Sequence, residues 1–385
     1  MNEIYLDYAA TTPLVPEVLK AVIDCLKNDF GNPSSMHGLG IRAEKRIREA
    51  AIQAANLLGA LPEEIFFTSG GTEANNLAVL GTAYDKKRRG MHCITSSIEH
   101  PSVIQAFSHL ESQGYDVTYL PVDAKGAISL DDLKSALNDD TILVSIMHVN
   151  NEIGSIQAIQ EIGTLIKSKK VKPVFHVDAI QSFGKLPIRP ELWGIDLLSL
   201  SGHKIHAPKG IGALYIKKGV CLQPILFGGN QQGGLRSGTE NITGIVGLGK
   251  AAQWIAERYK SEPDYLPKLK DKLVRGIQQA FPNAHINGSL KNSAPHILNV
   301  AFPGLRGEIL LHGLEEEGVY ISTGSACSSR NRKHSHVLSG LGLNDQLLEG
   351  SIRISLSYLT TEEEIDAFLP ILIRTVERLE RYIRR

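Results

Sequence analysis

From about Glu64 to Lys217, short apolar runs alternate with segments whose apolar residues recur every three or four positions. The runs predict strands and the segments predict amphipathic helices, so the alternation predicts βα units on a largely parallel sheet. Strands are read at EIFFTSG, MHCITSS, YDVTYLPV, TILVSIMHV, KPVFHVDAI, DLLSLSG and IGALYIKKG, with helices at TEANNLAVLGTAYDKKRRG and PSVIQAFSHLESQG between the earlier ones. Another helix is opened by Ser129, whose hydroxyl suits an N-cap. Beyond a helix around KAAQWIAERYK, the polar, proline-bearing run SEPDYLPK predicts a linker into a second lobe starting near Lys268. That lobe reads helix, strand (HILNVAF), helix (GEILLHGLEEEG), strand (VYIST), strand (SIRISLS) and a closing helix from TTEEEIDAFLP. The acidic first turn and basic last turn of that helix suit its dipole.

Length agrees with this division, because 385 residues exceed one ordinary compact core. With 42% hydrophobic and 21% charged residues, disorder is excluded as a description of the chain. Basic and acidic residues number 41 each, so no whole-molecule field draws it to nucleic acid or to an anionic membrane, and neither is expected as a direct partner. The opening MNEIYLDYAATTP reads as a strand rather than a signal peptide, and no stretch approaches the roughly 18 apolar residues of a membrane span. A cytoplasmic location is expected. Cys25, Cys93, Cys221 and Cys327 are scattered without metal-ligand spacing, which predicts reduced thiols and no metal site.

In open α/β sheets ligands collect beyond the carboxyl ends of the strands, so the polar residues that follow each apolar run carry the candidate chemistry. Gly70, Gly71 and Thr72 follow EIFFTS and open a helix, which is either a tight turn or a seat for a phosphate. Asp178 ends an apolar strand, where an ionised carboxylate needs a cation: a protein Arg or Lys, or the protonated pyridine nitrogen of pyridoxal phosphate. Lys204 lies at the mouth of DLLSLSGHK beside Ser201 and His203, between two apolar runs. A lysine desolvated there becomes an amine competent to form a Schiff base. Lys86, Lys87, Arg88 and Arg89 read as the solvated end of a helix.

LDYAATTP, FGNPSSMHG, FTSGGTEANN, SIEHPSV, MHVNNEIG, HVDAIQSFGK, SLSGHKIHAPKGIG, LRSGTEN, STGSACSS and SIRISLS, in this order, resemble the motifs of the NifS/IscS-type (group I) cysteine desulfurases in the class-V aminotransferase family. The resemblance runs nearly end to end. It implies a fold-type I pyridoxal-phosphate enzyme: a large domain over 14–260 with a mostly parallel seven-stranded sheet flanked by helices, and a smaller α+β domain of 1–13 and 261–385 carrying the catalytic cysteine loop. It also implies a homodimer, L-cysteine as substrate and a sulfur-acceptor protein, a scaffold or a sulfur carrier, as partner.

Carried over residue by residue, the resemblance makes Lys204 the lysine that carries pyridoxal 5'-phosphate and Asp178 the partner of its pyridine nitrogen. His100 would stack on the ring, Gln181 would bond the ring hydroxyl, and Asn150 would touch cofactor and substrate. Gly71, Thr72, Ser201 and His203 match the phosphate cradle, completed by Thr239 from the other subunit. Arg353 matches the guanidinium that holds the substrate carboxylate, and Asn32 lies in the motif lining that pocket. Cys327 would take the sulfur of L-cysteine as a persulfide and leave L-alanine, with His100 carrying protons for the thiols. Small and polar neighbours, and Arg330, Arg332 and Lys333 close by, favour an accessible thiolate at Cys327 over an inert buried thiol.

The chain departs from the family pattern at Lys333 and His334, where an acidic residue and a proline are more usual, and in NQQGGL before RSGT. The acceptor and the cross-subunit wall are the features those departures touch. Rival readings are an aminotransferase or selenocysteine lyase on the same fold, against which Cys327 speaks, and a catalytically silent scaffold. Iron–sulfur cluster assembly, tRNA thiolation and DNA phosphorothioation are all destinations open to the sulfur.

Overall fold

The structure, a computed structural model, describes residues 3–323 and 335–383. Cys327, with the rest of 324–334, lies outside the described residues. The chain begins with β1 (Ile4–Tyr5), α1 (Pro16–Asn28) and α2 (Gly38–Leu58). The alternating region follows as β2 (Ile65–Thr68), α3 (Gly71–Lys86), β3 (His92–Ser96), α4 (Pro101–Ser112), β4 (Asp116–Leu120), α5 (Leu130–Ala136), β5 (Thr141–Met147) and α6 (Ile159–Lys167). It closes with β6 (Val174–Asp178), α7 (Pro190–Trp193), β7 (Leu197–Ser201), β8 (Gly212–Ile216) and α8 (Ile242–Ser261). Then come α9 (Tyr265–Ala280), β9 (His285–Ile286), β10 (Ile297–Ala301), α10 (Gly307–Glu315), β11 (Val319–Tyr320), α11 (His336–Gly340), α12 (Asp345–Glu349), β12 (Ser351–Ser355) and α13 (Glu362–Ile383).

All seven apolar runs enter one sheet in the order β2-β8-β7-β6-β5-β3-β4. Only β8 runs against its neighbours, pairing antiparallel with β2 and β7, so the sheet is mostly parallel as expected. A parallel sheet is covered on both faces, which is why its strands read as unbroken apolar runs. Along β8 the faces separate cleanly: Ala213 and Tyr215 join one core, Leu214 and Ile216 the other. The second core also takes Leu77 of α3 and Phe107 and Leu110 of α4, while the first continues into Leu298, Ile352, Ile354 and Phe368. Ser129 caps α5 as read from the sequence, its Oγ accepting the Asp132 N–H at 3.1 Å.

Two expectations need correction. SEPDYLPK is not an extended linker: Ser261 ends α8, Tyr265–Lys268 already belong to α9, and only residues 262–264 connect them. Pro267 is tolerated because the first-turn N–H groups of a helix have no intrahelical partner to lose. VYIST forms a strand only at Val319–Tyr320, paired parallel with Ile4–Tyr5, while Ser322 pairs separately with Arg353. Among the described residues no helix is long and apolar enough to cross a membrane, and no cluster of His, Cys, Asp and Glu is placed to hold a metal ion.

Candidate active site

Because six of the seven strands share a direction, the residues following β2, β3, β5, β6 and β7 come to one edge of the sheet. Asp178 is the last residue of β6 and is buried. Its Oδ1 accepts the Ile180 N–H at 2.9 Å and its Oδ2 accepts from Asn75 Nδ2 at 2.8 Å. Burial pushes this carboxyl above the usual carboxylate range, and His100, the two hydrogen bonds and Lys204 pull it back. No protein arginine or lysine forms an ion pair with it among the described residues. The buried-pair alternative for Asp178 therefore finds no arginine or lysine at contact distance among the described residues.

Lys204 ends a single 3-10 turn, Gly202–Lys204, directly after β7. Its Nζ donates to the carbonyls of Ala9 at 2.6 Å and Ala10 at 2.7 Å. The Ala9 carbonyl also accepts from Gln181 Nε2 at 2.9 Å, while Gln181 Oε1 is buried without a hydrogen-bond partner. Beneath the turn, buried Lys185 donates to the Lys204 carbonyl at 2.9 Å, and burial, then the charge of Lys204, brings Lys185 down to about 7. Two residues on, His206 has φ 67°, a left-handed conformation held by its N–H donating to Thr12 Oγ1 at 2.7 Å and by a 2.9 Å bond between Nδ1 and the Pro13 carbonyl. Residues 9–13 thus form a strap across the lysine turn.

His100 is the N-cap of α4 and half-buried. Its Nδ1 accepts the Ser102 N–H at 3.2 Å and lies 2.8 Å from Ser102 Oγ. With Nδ1 accepting, the neutral ring carries its proton on Nε2. Burial holds its pKa below the ordinary histidine value, with Lys204 and His336 acting in the same direction and Asp178 against them.

Gly70, in an extended conformation, caps α3, and a Cβ on Gly71 would run into the Ile180 side chain and lie 3.4 Å from Ser201 Cβ. Glycine at 71 keeps backbone N–H groups approachable at the positive end of a 16-residue helix. Ser201 is buried at the end of β7, Thr72 is exposed, and His203 Nδ1 is 3.2 Å from Thr11 Oγ1. Burial and neighbouring lysines bring His203 down to about 4. Thr239 is exposed and lines a cavity of about 100 Å³ with Ser69, Arg236 and Asn241.

Arg353, on β12, is buried. Its Nη2 meets Asp7 Oδ1 at 2.8 Å, its Nη1 donates to the Asn151 carbonyl at 2.8 Å, and its Nε is buried without a partner. Asn150 is fully buried, with Oδ1 accepting the N–H groups of Glu152 and Ile153 and Nδ2 donating to the Ile98 carbonyl at 3.0 Å. It ties the Arg353 loop to the His100 segment. Asn32 stands apart in an exposed turn, its Oδ1 accepting the Ser34 N–H at 2.9 Å.

Several residues of this site were not singled out in the sequence. Asp7 and the carbonyls of Ala9 and Ala10 build its wall, Asn75 and Ser102 link Asp178 to His100, and Glu99 and Glu152 lie behind. Burial raises Glu99 to about 8 and Glu152 to about 7. Asn75 was findable, because it shares the buried face of α3 with Ala78, Val79 and Thr82, where an amide is out of place.

The donor set fits pyridoxal phosphate. A buried carboxylate with no arginine or lysine ion pair among the described residues suits a pyridinium nitrogen, the unpartnered Gln181 Oε1 suits a neighbouring polar group, and the glycine-opened helix suits a phosphate. Comparisons with known proteins agree. The family described as Aminotransferase class-V matches residues 4–368. The chain is 45% identical over 378 residues to the cysteine desulfurase IscS of Dictyoglomus turgidum, covering 98% of this chain and 95% of that protein. It is 46% identical over 376 residues to the cysteine desulfurase IscS of Methanosarcina thermophila, covering 98% and 92%. Among solved structures, a NifS-like protein superposes with TM-score 0.92 at 39% identity over 98% of this chain and 100% of the other. A structure described as SspA in complex with cysteine does so with TM-score 0.82 at 39% identity over 92% and 99%.

Proposed function

The chain belongs to the cysteine desulfurase group of the class-V aminotransferases, and from that premise we propose that it converts L-cysteine to L-alanine and passes the sulfur to Cys327 as a persulfide. It is a pyridoxal-phosphate enzyme of fold-type I. The observation that carries the reading is the convergence of Lys204, buried Asp178 and His100 at the carboxyl edge of the sheet.

When bound, pyridoxal 5'-phosphate supplies an electron sink that acidifies the α-proton of the amino acid and lets the Cβ–S bond release its electrons. Asp178 would hold the pyridine nitrogen, Gln181 the ring hydroxyl, and Gly71, Thr72, Ser201 and His203 the phosphate. Lys204 supplies the amine that holds the cofactor and carries the proton of the substrate Cα. Arg353 binds the substrate carboxylate, with its buried Nε the donor not already engaged and Asn150 on the adjoining loop, while Asn32, apart from them within one chain, is assigned to the same pocket. The Cys327 thiolate attacks the substrate sulfur: an S–S bond forms, the Cβ–S bond breaks and a proton ends on Cβ, so cysteine and a thiol become alanine and a persulfide. His100, neutral with its proton on Nε2, carries protons between the thiols.

The protein works as a homodimer in which Thr239 completes the phosphate cradle of the partner. Support comes from the exposed apolar stripe Leu19, Ile23 and Leu26 along α1, and from Phe30, Met36 and Phe227, which are 71%, 95% and 81% exposed. Residues 14–260 form the large domain, and 1–13 with 261–385 the smaller one, a division supported by the pairing of β1 with β11 and of Asp7 with Arg353. The persulfide then goes to an acceptor protein of the cytoplasm, a scaffold for iron–sulfur cluster assembly or a sulfur carrier. The test is purified protein with L-cysteine, measuring alanine, sulfide and cofactor colour for wild type, Cys327→Ala and Lys204→Ala. Wild type is expected to be yellow and to release alanine, and Lys204→Ala to do neither. A colourless wild type, or sulfur transfer to an acceptor by Cys327→Ala, refutes the reading.

A further inference from the structure

We infer that Asn75 is a positioning residue that holds the carboxylate and the imidazole of this site in one hydrogen-bonded chain, placing Asp178 and directing the Ser102 hydroxyl proton onto His100 Nδ1 beside the backbone bond that already selects the Nε2–H tautomer. The inference rests on the reading of Asp178 and His100 as cofactor-facing groups. Asn75 is fully buried on α3. Its Nδ2 has two protons, one donated to Asp178 Oδ2 at 2.8 Å and the other to Ser102 Oγ at 2.9 Å. Having accepted that bond, the Ser102 hydroxyl directs its own proton to His100 Nδ1, 2.8 Å away, and the Ser102 N–H reaches the same nitrogen at 3.2 Å. Each group on this path has one arrangement of protons that satisfies it. The carboxylate must accept, the amide nitrogen must donate twice, and the imidazole must accept at Nδ1 and carry hydrogen at Nε2.

The amide cannot be turned the other way. Reversed, Asn75 Oδ1 would face the Asp178 carboxylate, acceptor against acceptor. In the orientation adopted Oδ1 is buried with no partner. A buried amide with half of its capacity unused is a feature a purely packing role would not retain, since an apolar side chain would fit without that cost. Sites where such a rule is broken are where function is expected. Among the described residues the titratable groups acting on His100 are Asp178, Lys204 and His336, and burial with the latter two favours the neutral ring.

The test uses the full-length protein with and without pyridoxal 5'-phosphate. In the apoprotein, with histidine labelled by nitrogen-15 and His100 assigned by comparison with His100→Gln, His100 is expected as the Nε2–H tautomer. Ser102→Ala removes the hydroxyl arm to the imidazole but keeps the backbone N–H at Nδ1, so the Nε2–H tautomer is expected to persist while the His100 pKa rises, one donor to the neutral ring having been lost. Asn75→Leu loosens both arms and is expected to weaken cofactor affinity roughly tenfold, the order expected for losing a hydrogen bond to a charged group. Wild-type His100 with its proton on Nδ1, or Asn75→Leu with wild-type His100 pKa and cofactor affinity, overturns the inference. Should Asn75→Leu fail to fold, an unchanged His100 pKa in Ser102→Ala overturns it alone. A wild type that shows the Nε2–H signature and takes up no cofactor refutes the reading of the site instead, leaving the hydrogen-bonded chain standing.

Discussion

Removing the carboxylate of Asp7 tests whether the segment leading into the strap over the lysine turn holds the guanidinium on β12. Arg353 and Asp7 meet at 2.8 Å with side chains 4% and 18% exposed. At an effective dielectric near 20, unit charges at that distance attract by roughly 6 kcal/mol, most of which offsets their desolvation. Deleting one partner leaves the other buried and uncompensated, which typically costs about 3–5 kcal/mol. The Asn151 carbonyl still accepts from Nη1, and the partial exposure of Asp7 admits water, so the lower end is expected here. Asp7→Ala should cost about 3 kcal/mol and Arg353→Met a similar amount. The double variant should lose about 2 kcal/mol less than the two together, because it leaves no unpaired charge. The assay is urea unfolding of all four proteins at saturating cofactor. A coupling below about 0.5 kcal/mol would mean that the two side chains act independently, and the account of Arg353 as held by Asp7 would be wrong.

Three further outcomes follow from the same structure. Glu99 has its folded pKa raised to about 8 from 4.5, so the native state binds the extra proton between those values and the contribution of this group to stability falls as pH rises through that window. Glu99→Gln should therefore gain on wild type by more than about 1 kcal/mol between pH 5 and pH 8, and equal pH dependence in the two would show that the group is not titrating there. Gly163 on α6 lies against the Trp193 carbonyl of α7, where a Cβ would collide with fixed backbone, so Gly163→Ala should lower stability by about 2 kcal/mol or more, read as a fall in the denaturant midpoint. In the native protein Cys221 should be alkylated while Cys25 and Cys93 are protected, since both are buried and burial raises both thiols, Cys93 to about 12. Peptide mapping that finds native Cys93 modified would contradict its placement on β3.

The strands could be read from the sequence because both faces of a parallel sheet are covered, and unbroken apolar runs such as TILVSIM and LLSLS leave little room for another reading. Asp178 and Lys204 were legible for the same reason: each is a charged residue where such a run stops. The short link between α8 and α9 was misread because a proline in a first helical turn looks the same in sequence as one in a loop.

What the sequence determined by itself was therefore local: where the backbone extends, where it coils, and which polar residues fall at the strand ends. Only the tertiary structure decided what those residues touch. The carbonyls of Ala9 and Ala10 receive Lys204 from nearly two hundred residues away, and Asp7 meets Arg353 across almost the whole chain. Asn75 reaches Asp178 and Ser102 from a neighbouring helix. Such contacts leave no periodicity, because they depend on the order of strands in the sheet and on the path of one N-terminal segment across its edge.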